Sequence, residues 1–356
     1  MRTRRAFIVF TAAALVAAVA AGGSLAGAGT GSWPRHTSAS VRLADHVTVL
    51  RPRAAARLGR AVWHGGELTA AGGERVGIYV SDDYASDAGA AQRWADFFGG
   101  LVHGSELSLI TVYVATPADA ADLCGDADAL GCYGEDRLVI PGEASDGVDP
   151  TMVATHEYGH HVAAHRLNAP WRALDWGTKR WASHLDVCGR TAGGAYFPGD
   201  EGDHYTRNPG EGFAETYRAL NESLAGTTSF WWDVVDPAFY PDQAALDDVR
   251  EDVIHPWAAP SARVAAGRFV SSGSSMWTLP LATPLDGDLE LTLTLPKFAP
   301  YGLTLLGAGG QELAHGLWSS RRQQTLHFQV CGERSLLVRV TRAGAPGRFS
   351  VKVSQP

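Results

Sequence analysis

The sequence predicts an α+β protein in which a mixed sheet with helices is followed by an antiparallel β-sandwich. Between residues 74 and 262, short β-branched and aromatic runs alternate with segments of helical spacing, which favours a sheet covered by helices. The pattern changes near Ala262. From there apolar and polar residues alternate in short runs separated by Gly and Pro, as at 289–295. We therefore expect a first domain at 74–262 and a β-sandwich domain at 263–356.

The elements of the first domain follow from periodicity and from capping residues. Its predicted strands, each rich in β-branched or aromatic residues, are 76–80, 110–114 and 137–140. Its predicted helices are 85–101, 117–123, 151–167, 209–224 and 241–254. Asp149 and Pro150 are a favourable N-cap and first helical residue for the third of these helices, and Pro170 ends it. The stretch that follows is dense in Trp and Gly and is expected to be mostly loop.

The first 31 residues are predicted to be an export signal. Three arginines (Arg2, Arg4 and Arg5) precede the apolar run 6–21, and small residues follow it. The run is short for a membrane span and no charged stop-transfer flank follows. We expect a secreted protein with no stable membrane insertion after signal cleavage.

Some alternatives at the N-terminus stay open. Arg4 and Arg5 fit either a twin-arginine signal or an ordinary secretory signal, and an uncleaved anchor is a third alternative. Residues 32–73 fit a linker, a short pro-segment or one helix around 47–63.

Composition excludes one class of partner. The chain has 356 residues, 45% of them apolar, and a formal net charge of −8. A chain this acidic, with no Lys/Arg cluster, is not expected to bind nucleic acid. The apolar fraction is high enough for a sizeable core.

The four cysteines indicate disulfides, because an even count is typical of exported proteins and no CxxC spacing favours a cysteine metal site. Cys124 and Cys132 enclose a short loop with two glycines, which favours their pairing. Cys188 and Cys331 would then join the two domains. The alternative is one local bridge with two buried thiols.

The chemistry is carried by His156-Glu157-Tyr158-Gly159-His160, an H-E-x-x-H motif inside a predicted helix. Residues four apart lie on one helix face, so the two imidazoles can bind one Zn²⁺ ion. Glu157 is about 100° round the helix from His156. Its carboxylate is therefore expected beside the metal as the general base for metal-bound water. A surface or core histidine pair is the alternative.

A third metal ligand is expected on the helix at 209–224. Glu211 and Glu215 are four apart on one face. Glu211 would complete three protein ligands, and Glu215 would accept a hydrogen bond from a ligating imidazole. The alternative is a solvated helix face.

Neighbouring residues give further expectations. Glycine at 159 costs helix stability, which the close approach of another element at the metal site would justify, and a tolerated accident is the alternative. Tyr205 is expected to donate a hydrogen bond to the oxyanion, with His204 as the alternative donor and an ordinary loop tyrosine as the competing interpretation. His161 and His165 face away from the motif pair, and we expect them to be structural or surface histidines.

The residues His156, Glu157 and His160, followed by Glu211-x-x-x-Glu215, resemble the gluzincin class of zinc peptidases. The resemblance covers roughly residues 75–255. It implies a zincin-like catalytic domain with His156, His160 and Glu211 as zinc ligands, Glu157 as base and Glu215 behind the ligands. Some gluzincins have a tyrosine shortly before the third ligand, so the resemblance also favours a role for Tyr205 in the site. It further implies an edge strand that binds extended substrate, for which 138–140 is the candidate. The tail, through 347–351, is similar to bacterial pre-peptidase C-terminal or carbohydrate-binding sandwiches.

The expected function is that of a secreted zinc endopeptidase acting on protein or peptide substrates. The rival is a non-catalytic exported cell-surface or carbohydrate-binding protein that keeps the zincin domain as a scaffold. A zinc hydrolase of a non-peptide amide is a third option. Cell-wall carbohydrate, bound through the C-terminal domain, is a further candidate partner.

Overall fold

The computed structural model describes residues 62–126, 128–144, 147–227 and 234–356. The expected export signal at 1–31 and residues 32–61 of the expected linker lie outside these ranges. Among the described residues, no helix is both long enough and apolar enough to cross a bilayer.

The N-terminal part is built on a mixed sheet, as the sequence predicts. In spatial order its described strands are β1 (Trp63–Thr69), β2 (Arg75–Ser81), β3 (Thr111–Ala115), β5 (Arg137–Pro141) and β4 (Cys132–Gly134). The three central strands run parallel, whereas β1 and β4 are antiparallel to their neighbours. The apolar residues of β2, β3 and β5 are almost entirely buried, which is typical of parallel strands covered on both faces.

Strand β1 lies where the sequence indicated a linker. It pairs with β2 along its whole length, from Trp63 opposite Ser81 to Thr69 opposite Arg75. The sheet therefore begins before residue 74. Gly65 and Gly66 both have positive φ angles, 119° and 142°, and such glycines break the pattern by which a strand is recognised.

The expectation that 138–140 forms the sheet edge is wrong. Strand β5 lies between β3 and β4, and β4 is the edge strand. A two-residue turn, Glu135-Asp136, folds β4 back onto β5 with Gly134 opposite Arg137. Three residues are too few to give an alternating pattern, so the sequence did not indicate this strand.

The helices lie between and after these strands. Those described in the first domain are α1 (Ala90–Gly100), α2 (Pro117–Cys124), α3 (Pro150–Ala164), α4 (Ala173–Trp176), α5 (Lys179–His184), α6 (Val187–Ala192), α7 (Pro209–Ala225) and α8 (Gln243–Ile254). Helix α3 ends at Ala164, three residues earlier than predicted. A small hairpin, β6 (Leu167–Asn168) with β7 (Trp171–Arg172), follows it.

The Trp- and Gly-rich stretch contains short helices rather than loop alone. Trp181 of α5 is completely buried, with its ring edge-on to Phe213 at 5.5 Å and stacked on Phe239 at 6.2 Å. These aromatic contacts fix the short helices against α7, where local spacing gives little signal.

The C-terminal part is a pair of antiparallel sheets, as expected. One sheet has the order β13 (Leu317–Ser320), β14 (Gln323–Val330), β10 (Gly287–Thr294), β16 (Arg348–Gln355), β8 (Ser261–Arg268). The other has the order β12 (Glu312–His315), β11 (Tyr301–Gly307), β15 (Ser335–Arg342), β9 (Met276–Ala282). In β10, Leu289, Leu291 and Leu293 face one shared core while the residues between them are more exposed. The alternation seen in the sequence therefore marks the inward face.

Both expected disulfides are present. Cys124–Cys132 joins the end of α2 to β4, and Cys188–Cys331 joins α6 to the residue after β14. Structural disulfides are typical of proteins outside the reducing cytoplasm.

Polar contacts accompany the second disulfide. The backbone N–H of Asp286 donates to Ser183 Oγ at 2.9 Å, and Arg334 Nη2 donates to the carbonyl oxygen of Ser183 at 2.6 Å. The sandwich is thus attached to α5 and α6 by a covalent bond and by hydrogen bonds from its own backbone and side chains.

Candidate metal centre

Helix α3 carries the H-E-x-x-H motif and is buried from Met152 to Ala163. Asp149 caps it, accepting the Thr151 backbone N–H at 2.8 Å, and Pro150 occupies the first turn. The helix begins where the sequence predicted. Polar groups in a helix buried on all sides need partners, which helix α7 supplies.

Close packing of α3 on α7 depends on Gly159. A Cβ atom at this position would lie 2.9 Å from Ala214 Cα and 3.2 Å from its carbonyl oxygen. The expected close approach of a second element is therefore present, and glycine is needed for it. This contact brings the motif face of α3 against the first turns of α7.

Three completely or almost completely buried side chains meet between the two helices. His156 Nε2 lies 3.2 Å from His160 Nε2 and 3.1 Å from Glu211 Oε2, and His160 Nε2 lies 3.4 Å from the same oxygen. Asn208 caps α7 through the Gly210 backbone N–H at 3.0 Å and so places Glu211 in the first turn. The three residues that the sequence analysis expected to hold a metal ion thus lie together, with one donor atom of each within 4.8 Å of the others.

The three atoms have the spacing of ligands around one zinc ion. Tetrahedral ligands at roughly 2.0–2.1 Å from zinc lie about 3.3–3.4 Å from each other. The three observed separations are 3.1, 3.2 and 3.4 Å. Two imidazoles and a carboxylate are also a donor set that zinc accepts.

A hydrogen bond to Glu215 fixes the orientation of the His156 ring. His156 Nδ1 lies 2.7 Å from Glu215 Oε1, as the sequence predicted for Glu215. Burial alone would raise the pKa of Glu215, but Arg218 and His156 outweigh burial and lower it to about 2. The ionised carboxylate accepts the Nδ1 proton, which leaves Nε2 as the ring atom directed at Glu211.

Glu211 also has a buried atom that a cation would satisfy. Its Oε1 is buried and has no hydrogen-bond partner within the described part of the chain. Its Oε2 faces two ring nitrogens. Burial raises the pKa of Glu211, yet the facing His160 and His156 rings outweigh that effect and hold it below its ordinary value. A carboxylate kept ionised in a buried site is expected to pair with a cation.

Arg218 is a residue that the sequence analysis missed. It is completely buried, and its Nη2 donates to Glu215 Oε2 at 2.7 Å while its Nη1 donates to Glu222 Oε1 at 2.6 Å. The spacing Glu215-x-x-Arg218-x-x-x-Glu222 was the available signal, since residues three and four apart on a helix are neighbours. Arg218 fixes the carboxylate that in turn orients His156.

Glu157 is buried on α3 beside His156 and faces the start of β4. A Cβ atom at Gly131, the residue before β4, would lie 3.4 Å from Glu157 Cγ and 2.6 Å from Val153 Cγ1. The edge strand therefore closes against the face of α3 that carries the expected base.

Tyr205 reaches the site through a metal-ligand candidate. It lies in a 3-10 turn just before α7, and its Oη donates to Glu211 Oε2 at 2.9 Å. His204, the alternative, turns away: its Nδ1 lies 2.8 Å from Asp200 and its ring stacks on Phe197 with centroids 3.8 Å apart. Of the two, the phenol is the group that lies beside Glu211.

His161 and His165 have a partner that the sequence analysis did not foresee. They were expected to be structural or surface histidines, and Asp136, from the turn between β4 and β5, reaches both. Because Asp136 is distant in sequence from α3, the local pattern held no sign of the contact.

Comparisons with known proteins do not identify a family. No protein-family model matches the chain, and no curated protein matches it. Among solved structures, the pre-peptidase C-terminal domain of a Bacillus anthracis collagenase is similar at 10% identity and a TM-score of 0.23, covering 26% of this chain and 87% of that one. The thioester domain of an Enterococcus faecium protein is similar at 12% identity and a TM-score of 0.11, covering 44% of this chain and 67% of that one. Likenesses this weak carry no argument about function.

Proposed function

We propose that this chain is a secreted zinc-dependent endopeptidase. The observation that carries the proposal is the buried triangle of His156 Nε2, His160 Nε2 and Glu211 Oε2, with separations that suit one tetrahedral ion. The two disulfides support export, as does the N-terminal sequence pattern.

Each residue of the site has a proposed part in peptide-bond hydrolysis. His156, His160 and Glu211 would hold zinc, which lowers the pKa of water toward about 7 and polarises a carbonyl group. Glu157 takes a proton from the attacking water and passes it to the leaving amine. Glu215 keeps the proton on His156 Nδ1, so that Nε2 stays available as a donor atom.

Tyr205 is proposed to stabilise the charge that develops on the carbonyl oxygen. Its phenol lies beside the ligand triangle, 2.9 Å from Glu211 Oε2. From this position the phenol can donate its hydrogen bond to a substrate oxygen that gains negative charge, instead of to the Glu211 oxygen.

The direct test is Glu157→Gln with zinc content and peptidase activity measured on the same preparation. We expect the variant to keep its zinc and to lose activity by roughly 10²- to 10⁴-fold, the range for a general acid–base residue. Glu251→Gln, on the exposed part of α8, is the matched control and should behave as wild type. Full activity in Glu157→Gln would exclude the mechanism.

A second candidate function rests on the sandwich. Phe298 and Trp318 are 63% and 45% exposed, and their ring centroids lie 5.6 Å apart. Exposed aromatic patches mark interaction sites, and cell-wall carbohydrate is the partner that we propose for this one. In this alternative function, the protein binds carbohydrate through this surface and the metal site does not turn over substrate.

A substrate panel separates these functions. Turnover of casein or peptide libraries supports the endopeptidase, and turnover of non-peptide amides alone would point to the third option. Zinc binding without any turnover, together with polysaccharide binding that Trp318→Ala abolishes, would favour the non-catalytic protein.

A further inference from the structure

A second cluster of metal-ligating side chains lies at the C-terminal end of α3. His161 is in the last turn of the helix, His165 follows it, and Asp136 comes from the turn that joins β4 to β5. One donor atom from each of the three can be chosen so that all lie within 4.8 Å of one another. None of these residues has a part in the proposed peptidase mechanism.

The Asp136 carboxylate is the centre of the cluster. Its Oδ1 lies 2.7 Å from His165 Nε2 and 3.5 Å from His161 Nδ1. The same oxygen accepts a hydrogen bond from Tyr133 Oη at 3.3 Å. The phenol thus holds the carboxylate in place from β4.

The tautomer of His161 is fixed by a backbone contact. His161 Nε2 lies 2.9 Å from the carbonyl oxygen of Glu106, and a carbonyl oxygen can only accept. Nε2 therefore carries the proton, and Nδ1 of the neutral ring presents a lone pair. That lone pair points toward the negative oxygen of Asp136.

His161 Nδ1 has no hydrogen-bond partner within the described part of the chain, and its side chain is 0% exposed. A buried acceptor that faces another acceptor costs free energy unless something positive lies between them. A protein donor does not fill that role here, because the facing group is a carboxylate.

We propose that Asp136, His161 and His165 form a second metal site that binds a divalent transition-metal ion, with Zn²⁺ as the probe. Two imidazoles and one carboxylate favour zinc and its neighbours in the first transition row over Ca²⁺ or Mg²⁺. The backbone carbonyl of Glu106, behind His161, orients the ligand in the way that partners of metal-bound histidines do.

The site is open on one side. The side chains of His165 and Asp136 are 25% and 44% exposed, whereas that of His161 is buried. An ion can therefore enter from solvent, and water can complete its coordination. The bound ion joins the β4–β5 turn to the end of α3, which holds the edge strand of the sheet against the helix that carries the first site.

The role of Asp136 can be tested without disrupting the turn that carries it. Glu135 and Asp136 have φ angles of 50° and 62°, in the left-handed region. Asparagine tolerates this conformation better than most residues, so Asp136→Asn preserves the turn while removing the charge. His165→Gln is a second variant at a partly exposed position.

The test is a Zn²⁺ titration of the chelator-stripped, full-length protein by calorimetry, with bound metal counted after dialysis. Asp136→Asn and His165→Gln are each expected to bind one equivalent fewer than wild type, with unchanged circular dichroism. His255→Gln is the matched control, since it removes an exposed histidine that also faces a carboxylate, and it should bind as wild type.

The test compares the number of zinc equivalents bound by wild type and by each variant. It therefore stays valid even if the site at His156, His160 and Glu211 binds no zinc. If wild type binds only one equivalent and Asp136→Asn binds none, the second site stands and the zinc peptidase proposal fails. If both variants bind as many equivalents as wild type, the second site is overturned. Co²⁺ loading gives an independent readout, because the variants should lose one of two absorbing centres.

Discussion

His156 Nδ1 and Glu215 Oε1 lie 2.7 Å apart in a region where both side chains are completely buried. Replacing Glu215 with Gln removes the charge that fixes the His156 tautomer. Partners of metal-ligating histidines typically change affinity by about 10- to 100-fold, so we expect a loss of that size in Zn²⁺ affinity, measured by competition with a chelator.

The control for this variant is Glu222→Gln. It also removes a carboxylate from Arg218, but it leaves the bond to His156 intact. Zinc affinity should then stay near the wild-type value. An equal loss in both variants would show that the charge on Arg218, rather than the contact with His156, controls the affinity.

Tyr205→Phe tests the phenol beside Glu211. We expect kcat to fall by about 10²-fold, as for the loss of one oxyanion donor, with zinc content and KM little changed. Steady-state kinetics and metal analysis on one preparation check this. Loss of zinc in proportion to activity would instead make Tyr205 a positioning residue for Glu211.

Gly159→Ala tests the approach of α3 to α7. The added Cβ would meet the backbone of Ala214 at 2.9 Å, and backbone cannot move as a flexible side chain can. We expect the free energy of unfolding to fall by about 1–3 kcal/mol in denaturant titrations. Gly100→Ala, at the end of α1, meets no atom within 4 Å and should be neutral or slightly stabilising.

Glu106 and Arg166 give a prediction about pH. Arg166 Nη2 donates to Glu106 Oε2 at 2.9 Å, and both side chains are largely buried. Burial raises the pKa of Glu106, but Arg166 outweighs it and the net shift is downward. The pair therefore stabilises the fold above the ordinary glutamate pKa, and this contribution is lost as the pH falls through the lowered value.

Glu106→Gln should accordingly destabilise the protein by about 3–5 kcal/mol at pH 7, because it leaves Arg166 with a buried uncompensated charge. The difference in unfolding free energy between variant and wild type should shrink in acid, where Glu106 is protonated in both the folded and the unfolded wild-type protein. Denaturant unfolding at several pH values measures this, and a difference that does not change with pH would contradict the assignment.

The disulfide partners Cys188 and Cys331 are 143 positions apart in the sequence, whereas Cys124 and Cys132 are 8 positions apart. Long loops lose more entropy on closure, so the double serine variant at 188 and 331 should lose about 2–5 kcal/mol of unfolding free energy. The double variant at 124 and 132 should lose less. Equal losses would mean that local effects at the bridges outweigh loop length.

The sequence predicted the features that leave a periodic pattern or that depend on a few residues of distinctive type and spacing. The β-branched runs gave the three parallel strands, and the Asp149-Pro150 cap gave the start of α3. The alternation after 262 gave the antiparallel sheets, and cysteine spacing gave both disulfides. The spacing of His156, His160 and Glu211 pointed to three side chains whose donor atoms lie together in the structure.

The features that were missed depend on contacts between distant parts of the chain. Strand β4 has three residues and exists because of its turn and its disulfide, so it leaves no periodic pattern. Arg218 has meaning only once Glu215 and Glu222 are known to be buried with it. Asp136 meets His165 through the sheet, across 29 positions of sequence. Single-sequence patterns do not contain such pairings.

The covalent attachment of α6 to the sandwich has a consequence for proteolysis. Under the proposed function the protein is exposed to its own activity, and the segment between α8 and β8 is a short connection on the surface. A cut there would leave the two fragments linked through Cys188 and Cys331, so they should migrate as one species until a reductant is added. Self-digestion at this connection would therefore nick the molecule without shedding its C-terminal sheets.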